Sequence, residues 1–313
     1  MFTVVVPVYR NEECIPDLLA ALEEMDHRLA GDLEAVLVVD GSPDCSLEIL
    51  ARELPARRFR SQLLGLSRNF GSFAAIMAGL SAGHGDAFGV MAADLQEPIE
   101  LVLEFRDRLA SGRCDVVVGT RTGRCDPLLS RAASGLFWWS YRRLVQREVP
   151  PGGVDVFGCS AAFRDHLLAL RERNATLVGL VFWLGFRREE VPYVRRPRLH
   201  GRSAWSLRRR VRYLLDSGFA FSDLPVRLMT LAGLVGLSLS TVLAIVVLVT
   251  RIRGGIPVPG YTATVLSVMF FGGLNSLGIG VLGEYVWRTF ENSKGRPGYV
   301  VAARHEFSGR ENR

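Results

Sequence analysis

The sequence predicts an α/β fold with a mainly parallel, doubly wound sheet, followed by two C-terminal transmembrane helices. From Thr3 to Arg121, short apolar runs typical of buried strands alternate with segments of helical periodicity, and polar residues follow each run. Residues 228–250 and 254–283 contain no charged side chain, and about 20 apolar residues suffice for a helix to cross a bilayer. A buried hairpin is the alternative, and two such runs in succession disfavour it.

The first strand is predicted at Thr3–Val8, because its unbroken apolar run is typical of a parallel strand covered on both faces. A helix follows, with apolar residues at three- and four-residue spacing. Further strands are predicted at Ala35–Val39, Leu63–Leu66, Phe88–Met91 and Asp115–Val118. The helices between them are predicted at Ser46–Leu54, around Phe73–Leu80 and from Ile99.

Polar side chains follow the predicted strands where each strand ends, at Tyr9, Asp40, Arg68, Asp94 and Arg121. Ligands of open α/β sheets bind beyond the carboxyl ends of the strands. Each residue alone could be a helix cap or a surface charge; for Asp94, the alternative is the N-cap of the helix near Pro98. Five polar groups on one rim are better explained by a ligand that carries phosphate.

The chain divides into four parts by composition. Residues 1–205 form the predicted sheet domain, and residues 206–227 form an arginine-rich amphipathic segment at the membrane interface. Residues 228–290 form the transmembrane hairpin, and residues 291–313 form a polar tail. Two shorter segments each have two interpretations. Leu128–Val145 is an interfacial or a core helix, and Leu177–Phe186 is a buried or interfacial helix.

The charge distribution predicts the orientation of the chain in a membrane. The net charge of +6 is concentrated in arginines before the first apolar run and in basic residues after the second. Cytoplasmic flanks carry the positive excess, so both termini are expected in the cytoplasm of a multi-pass protein of the inner or plasma membrane. Arg251 and Arg253 argue weakly against this orientation. Beside a membrane span, such clusters meet anionic lipids or a lipid phosphate rather than nucleic acid.

Neither a signal peptide nor a cysteine-based site is indicated. Met1 runs directly into the first strand without the charged and apolar layout of a secretory signal. The five cysteines are odd in number and form no CxxC pair, and the histidines form no HExxH motif.

The motifs at the strand ends carry a family resemblance. They are Val5-Val6-Pro7-Val8-Tyr9, Asp40-Gly41-Ser42, Ser67-Arg68-Asn69-Phe70-Gly71, Asp94-Leu95-Gln96-Glu97-Pro98 and Gly119-Thr120-Arg121. In this order, they resemble the motifs of the inverting family-two glycosyltransferases, which have the Rossmann-like GT-A fold. More narrowly, the chain resembles the polyprenyl-phosphate glycosyltransferases, which include GtrB-type glucosyltransferases and dolichol-phosphate mannose synthases.

The resemblance implies a metal-dependent hexosyltransferase. It would transfer one sugar, with inversion, from a nucleotide sugar resembling UDP-glucose or GDP-mannose to polyprenyl (undecaprenyl) phosphate. The product, formed at the cytoplasmic leaflet, would be a lipid-linked donor for modification of cell-envelope glycans. The resemblance also implies Mg²⁺ or Mn²⁺ as cofactor, a homo-oligomer such as a tetramer, and a flippase as pathway partner.

The resemblance also assigns roles to residues of this sequence. It places Asp94 and Gln96 at the metal, and it makes Asp155, Asp94 and Arg121 the catalytic set, with Asp155 at the position proposed for a base. The base, ribose and diphosphate of the nucleotide sugar would meet Pro7, Tyr9, Asn11, Asp40 and Arg68. The lipid phosphate would meet Arg121, Arg131, Arg198 and Arg202.

The sequence departs from the family pattern at three positions. Val39 and Ala92 stand where the family often has acidic residues, and Ala204 stands where a lysine is common, so Arg202 would supply that charge. The loss of a carboxylate at Ala92 is expected to weaken metal binding, although diphosphate and water can fill the remaining positions. The departure motivates an alternative, a catalytically degenerate membrane scaffold that binds nucleotide sugar. A processive polysaccharide synthase is disfavoured because no QxxRW motif occurs.

Overall fold

The structure of the protein, a computed structural model, is an α/β sheet domain followed by two long helices. It describes residues 1–122, 142–143, 148–150, 154–170, 172, 175–196, 216–217, 219, 222, 224–253 and 260–309.

The sheet has eight strands in the described residues: β1 Phe2–Val8, β2 Leu33–Val39, β3 Arg60–Leu66, β4 Ala87–Val90, β5 Val116–Arg121, β6 Val154–Ser160, β7 Arg188–Tyr193 and β8 Val301–Phe307. Their order across the sheet is β7-β5-β6-β4-β1-β2-β3-β8. The pairs β1–β2, β2–β3, β1–β4 and β5–β7 are parallel. The pairs β4–β6, β5–β6 and β3–β8 are antiparallel. The predicted mainly parallel sheet is therefore confirmed in its first four strands, and the whole sheet is mixed.

Helices cover both faces of the sheet, as the prediction of a doubly wound fold requires. The helices of this domain are α1 Ile15–Arg28, α2 Ser46–Glu53, α3 Ser72–Ala82, α4 Ile99–Ala110, α5 Ala161–Ala169 and α6 Leu177–Trp183. Val4 and Val6 of β1 lie in one buried core with Leu18 of α1, whereas Val5 lies in a second core with Ala75 of α3. Successive side chains of a strand point to opposite faces, so the unbroken valine run of β1 serves both cores.

The end of β5 differs from the prediction. Gly119, Thr120 and Arg121, which the sequence places after the strand, continue it and pair in parallel with β7, with Arg121 opposite Tyr193. The pairing partner was not predicted, because the charged sequence of β7 does not show the apolar run of a buried strand. The helix predicted at Leu177–Phe186 ends at Trp183, and its apolar side chains, except Trp183, are buried or partly buried in the core.

The predicted polar tail at residues 291–313 contains an edge strand that the sequence pattern missed. Strand β8 pairs in antiparallel register with β3, and its residues are mostly exposed. The strand is joined to the sheet by backbone hydrogen bonds and by the Arg304 guanidinium, which donates to Gln62 Oε1 at 3.1 Å. Just before it, Ser67 N donates to Val300 O at 2.9 Å, so the chain returns close to Arg68.

The two apolar stretches lie in two helices, α7 Leu224–Ile252 and α8 Tyr261–Ser293. Their packing is antiparallel: a Cβ on Gly236 would lie 2.8 Å from the Phe271 ring, and one on Gly278 would lie 3.2 Å from Met229. The small residues allow this close approach. Large apolar side chains on the outer faces are exposed, among them Leu231, Leu234, Val235, Leu277, Ile279 and Leu282.

Hydropathy and length together identify no membrane-crossing helix within the described part of the chain. The transmembrane pair therefore stays a prediction.

A buried polar network holds the first strands together at the end of the sheet where they begin. Glu34 of β2 is 4% exposed and accepts hydrogen bonds from Thr3 Oγ1 at 2.6 Å, from Gln62 Nε2 at 2.9 Å and from His84 N at 2.7 Å. Burial by itself would raise the pKa of Glu34, but the donated hydrogen bonds outweigh it and lower the pKa below its ordinary value. The ionised carboxylate is thus part of the folded structure.

We expect Glu34→Gln to lower the free energy of unfolding at pH 7 by about 2–3 kcal/mol, because an amide nitrogen then faces hydrogen-bond donors. The pKa of Glu34 is lowered by folding, so its contribution is complete above about pH 4.5 and is lost as the pH falls through the folded-state value. The difference between variant and wild type should therefore shrink below pH 4.5 in guanidinium unfolding followed by tryptophan fluorescence.

The matched control is Glu24→Gln, because Glu24 forms a half-exposed pair with Arg28 within α1. Its change should stay below about 0.5 kcal/mol. Equal effects of the two substitutions would show that the network at Glu34 has no special role.

Candidate functional site

The loops that leave the carboxyl ends of β1 to β4 form one rim of the sheet. Asp40, at the end of β2, joins its own loop to the loop after β3. The Asp40 side chain is 2% exposed, and its Oδ1 and Oδ2 accept hydrogen bonds from Phe70 N at 2.7 Å and Gly71 N at 2.8 Å. Gly71 is the residue before α3, so the carboxylate also lies at the positive end of that helix dipole. Both carboxylate oxygens thus bind the Ser67–Gly71 loop, and the predicted contact of Asp40 with a nucleotide stays a prediction.

Gly41 allows the loop after β2 to approach the loop after β3. Its φ is +54°, and a Cβ at this position would lie 2.2 Å from the carbonyl carbon of Arg68. A backbone atom cannot move aside as a flexible side chain can. The close approach of the two loops therefore requires glycine here.

Arg68 is exposed on this rim. Its Nη1 donates to Asn69 O at 3.2 Å, and its guanidinium carbon lies 4.1 Å from the centre of the Phe70 ring. Stacking on an aromatic ring orients the guanidinium, which keeps further N–H groups to offer to an anion. The role of Arg68 at a phosphate stays a prediction.

The loop after β1 is tied to the loop after β2. Arg10 has φ +55°, and its N donates to Ser42 Oγ at 2.8 Å, while Glu12 N donates to Asp44 Oδ2 at 3.2 Å. Burial alone would raise the pKa of Asp44, but hydrogen bonds from Ser42, Ser46 and Glu12 outweigh it and lower the pKa. Asp44 is therefore ionised at neutral pH.

Pro7, Tyr9 and Asn11 lie at the carboxyl end of β1, next to this tie. Pro7 is partly buried in β1, and Tyr9 is 37% exposed. The Asn11 side chain turns back, because its Oδ1 accepts from Tyr9 N at 3.2 Å. Contact of the three residues with a nucleotide stays a prediction.

The structure decides against the capping alternative for Asp94. Helix α4 begins at Ile99, and its N-cap position is occupied by Pro98 rather than by Asp94. Asp94 instead accepts a long hydrogen bond from Gln96 N at 3.5 Å, within a turn in which Leu95 has φ +52°. A non-glycine residue in this backbone region costs on the order of 1–3 kcal/mol and is typical of functional sites.

The side-chain oxygens at Asp94 and Gln96 suit a divalent ion whose other ligands come from a diphosphate. Such an ion needs only one or two protein carboxylates. Gln96 Nε2 donates to Arg196 O at 3.3 Å, so only the side-chain oxygen of Gln96 could act as a ligand. In the described part of the chain, no three histidine, cysteine, aspartate or glutamate residues cluster closely enough to hold an ion without such help.

Cys14 lies near Asp94 but is not a suitable ligand or nucleophile. Burial raises the pKa of the thiol, the hydrogen bond from Asn11 lowers it, and the charge of Asp94 raises it further, so the net shift is upward. The thiolate is the form that binds metals and attacks electrophiles. Cys14 therefore stays protonated and neutral at physiological pH.

The remaining predicted residues are placed only in part. Arg121 ends β5, and Asp155 lies near the start of β6, whose Val154 pairs with Thr120. The backbones at Arg121 and Asp155 therefore meet at the same rim, while the side chain of Asp155 lies outside the described residues. Arg131, Arg198 and Arg202 also lie outside them.

Three residues that contact the Asp94 loop were not singled out from the sequence. Arg195 and Arg196 follow β7, and Glu97 lies three residues after Asp94. Glu97 Oε1 and Arg195 Nε are 3.8 Å apart, and Arg196 N donates to Gln96 O at 2.9 Å. The partners are about 100 residues apart in the sequence, and the sequence pattern alone gives no signal of their contact.

Comparison with known proteins gives one family match. Residues 3–170 match the model of glycosyl transferase family 2. An uncharacterized glycosyltransferase of Synechocystis sp. is 32% identical over 96% of this chain and 94% of its own length. A bactoprenol glucosyl transferase of Shigella phage SfX is 31% identical over 96% of this chain and 99% of its own length. A prophage bactoprenol glucosyl transferase homolog of Escherichia coli is 30% identical over 96% and 97%.

Solved structures match less well. Mannosyl-3-phosphoglycerate synthase from Rubrobacter xylanophilus is 14% identical and has a TM-score of 0.46 over 84% of this chain and 79% of its own. Because this score is below 0.5, the family assignment rests on the sequence relatives.

We expect Asp40→Asn to loosen the Ser67–Gly71 loop, because one carboxylate oxygen becomes an amide nitrogen facing a backbone N–H. Hydrogen exchange at the amides of Phe70 and Gly71 should become faster, and the free energy of unfolding should fall by about 1–2 kcal/mol. The control is Asp32→Asn, because Asp32 is half-exposed and pairs with the N-terminal amine. Unchanged exchange at both amides would contradict the assigned role of Asp40.

Proposed function

The chain belongs to glycosyl transferase family 2, and we propose that it transfers one glucosyl residue from UDP-glucose to the phosphate of a polyprenyl phosphate, with inversion. The observation that carries the proposal is the similarity to bactoprenol glucosyl transferases, which extends over 96% of this chain and therefore covers the sheet domain and both long helices. The family resemblance implies that the sheet domain has the GT-A fold.

The donor would bind on the rim formed by the loops after β1, β2 and β3. The Asp40 carboxylate holds the Arg68 loop in place, and the exposed Arg68 guanidinium stacks on Phe70 with N–H groups left for the diphosphate. Guanidinium matches phosphate oxygens in a bidentate geometry. Tyr9, Asn11 and Pro7, tied to the same loops, would surround the base and ribose.

Asp94 and the side-chain oxygen of Gln96 would hold a Mg²⁺ or Mn²⁺ together with the diphosphate. When bound there, the ion supplies positive charge against the charge that develops on the departing nucleoside diphosphate. Asp94 is 9% exposed, and its Oδ1 accepts a long hydrogen bond from Gln96 N, which supports a restricted position of the carboxylate before the donor binds.

The acceptor phosphate would attack from the side of β5 and β6. A phosphate monoester has a second pKa near 6 and is mostly dianionic at neutral pH, so the reaction does not demand a strong base. Asp155 would therefore position the acceptor or the metal at least as much as it removes a proton. Arg121, at the end of β5, and Arg131, Arg198 and Arg202 would orient the phosphate for in-line attack.

The long helices would bring the rim to the lipid. Their exposed apolar side chains support contact with a bilayer, and Trp287 lies 5.1 Å from Lys294 Nζ, a pairing suited to the headgroup level. Strands β1 and β8, near the two ends of the chain, lie in one sheet, which supports both termini on the same side. The basic residues that flank the apolar stretches support a cytoplasmic position for that side. We propose a multi-pass protein of the inner membrane that acts as a homo-oligomer and supplies a flippase with its product.

The reaction is tested with the detergent-purified full chain, undecaprenyl phosphate, Mg²⁺ or Mn²⁺, and a panel of UDP- and GDP-sugars, by following labelled glycolipid. We expect one donor, UDP-glucose, to give lipid product, and Asp94→Asn to lower kcat/KM by about 100-fold because the metal ligand is weakened. The control Asp107→Asn removes an exposed carboxylate of α4 and should leave turnover unchanged.

Two outcomes would change the proposal. Product from another sugar donor would correct the substrate but keep the reaction. A chain that binds nucleotide sugar but gives no lipid product from any donor would instead support the degenerate scaffold, with Ala92 as its cause.

Arg68→Ala should raise the KM for the nucleotide sugar by about tenfold and leave the KM for the polyprenyl phosphate unchanged, because it removes a charged contact to the diphosphate. Arg68→Lys should restore only part of the affinity, since a lysine cannot form the bidentate contact. Steady-state kinetics with each substrate varied in turn measures both. Arg52→Ala, at an exposed arginine of α2, is the control; an equal rise in both KM values for Arg68→Ala would contradict a donor-specific role.

A further inference from the structure

The loop that carries Arg68 is held at both of its ends. At its far end, two backbone N–H groups donate to the Asp40 carboxylate. At its first residue, Ser67 N donates to Val300 O at 2.9 Å. Val300 belongs to the chain that follows α8, so a loop of the rim is fixed by residues that are 260 positions apart in the sequence.

The C-terminal segment, residues 299–307, runs beside β3 and reaches beyond its end. Val301, the first residue of β8, is opposite Leu66, the last residue of β3. The hydrogen bond from Ser67 N to Val300 O extends this contact by one residue into the loop. The residue next to Arg68 is therefore bound to the C-terminal segment through the backbone.

The ring of Tyr299 adds a packing contact at the same place. Tyr299 is partly buried and packs against the buried core that α3 shares with α5 and α6. Phe70, in the Arg68 loop, and Phe73, in the first turn of α3, pack against this core as well. Phe70 is also the ring on which the Arg68 guanidinium stacks. Tyr299 and the aromatic support of Arg68 thus rest on one apolar core.

The pairing of the C-terminal segment with β3 is irregular next to the rim. Gly65 is opposite Ala303 and Leu66 is opposite Val301, so Ala302 is an extra residue. Such a bulge bends its strand and increases the local twist, and bulges are frequent beside functional sites. Regular pairing would be enough to cover the edge of β3. The bulge and the extension to Ser67 therefore point to a second role at the rim.

The far end of the C-terminal segment is attached by different contacts. Arg304 Nη2 donates to Gln62 Oε1 at 3.1 Å. Phe307 lies opposite Ser61 near the start of β3, and its partly buried ring packs against the core on the other face of the sheet. The two ends of the segment can therefore be altered separately.

We propose that the C-terminal segment is part of the donor site and that Tyr299 is a positioning residue. The Val300 carbonyl and the Tyr299 ring fix the first part of the Arg68 loop, while Asp40 fixes the last part. The proposal rests on the proposed transfer from a nucleotide sugar. In it, Tyr299 acts through the position of Arg68.

The test compares Tyr299→Ala with wild type in the detergent-purified full chain, with each substrate varied in turn. We expect the KM for the nucleotide sugar to rise about fivefold because the Arg68 loop is less firmly held, while the KM for undecaprenyl phosphate changes less than about twofold. Tyr299→Phe keeps the ring and should keep both constants close to those of wild type. If Tyr299→Ala does not fold, Tyr299→Leu takes its place and should raise the same constant by a smaller factor.

The matched control is Phe307→Ala, which also removes a partly buried aromatic ring from the C-terminal segment, at the end away from the rim. Both alanine variants lose packing, but only Tyr299→Ala should raise the KM for the nucleotide sugar. An equal rise in both variants would overturn the proposal, because the segment would then contribute stability alone.

A double variant tests whether Tyr299 acts through Arg68. If it does, the KM for the nucleotide sugar should be no higher in the double variant Tyr299→Ala, Arg68→Ala than in Arg68→Ala alone. A further rise on top of the Arg68→Ala effect would overturn this route.

Hydrogen exchange separates this proposal from the proposed function, because it needs no turnover. The Ser67 amide should exchange several-fold faster in Tyr299→Ala than in wild type or Phe307→Ala. Unchanged exchange would overturn the proposal, as would an unchanged KM for the nucleotide sugar in an active Tyr299→Ala enzyme. Absence of lipid product from wild type with every donor would overturn the proposed function, and the exchange rates would then decide whether the C-terminal segment holds the loop.

Discussion

The buried carboxylate of Asp40 accepts two backbone hydrogen bonds, and the contact between the loops after β2 and β3 depends on them. Each loop at the end of a parallel strand has backbone N–H groups that the sheet no longer pairs, and buried groups of this kind need a partner. Asp40 supplies that partner for Phe70 N and Gly71 N, and Gly41 lets the two loops approach closely enough. As a result, Arg68 is presented from a loop that is fixed at its base.

The second half of the rim is held in the same way by different groups. The Asp94 loop and the exit of β7 exchange two hydrogen bonds through Gln96 and Arg196, and the buried Glu97 faces Arg195. Each half of the rim thus uses polar side chains to fix its loops, Asp40 in one half and Gln96 in the other. Arg68 stays exposed on this rim, which supports its proposed contact with a phosphate group.

The opposite end of the sheet has a different role. There, Glu34 joins β1, β2 and β3 through hydrogen bonds that keep its carboxylate ionised. At the rim itself, β8 begins beside Ser67 and runs antiparallel to β3. Strand β8 therefore attaches the chain that follows α8 to the sheet.

The sequence by itself determined the strands β1 to β4, their helices and the rim position of Asp40, Arg68 and Asp94, because unbroken apolar runs and turn residues are local signals. It could not determine β7 and β8, whose charged or exposed sequences form strands only because β5 and β3 offer them a free edge. It also left open whether Asp94 caps α4, which the position of Pro98 decided. The partners of Asp40 lie 30 and 31 residues away, and that of Gln96 lies 100 residues away. Such contacts depend on which strands become neighbours, so only the tertiary structure decided them.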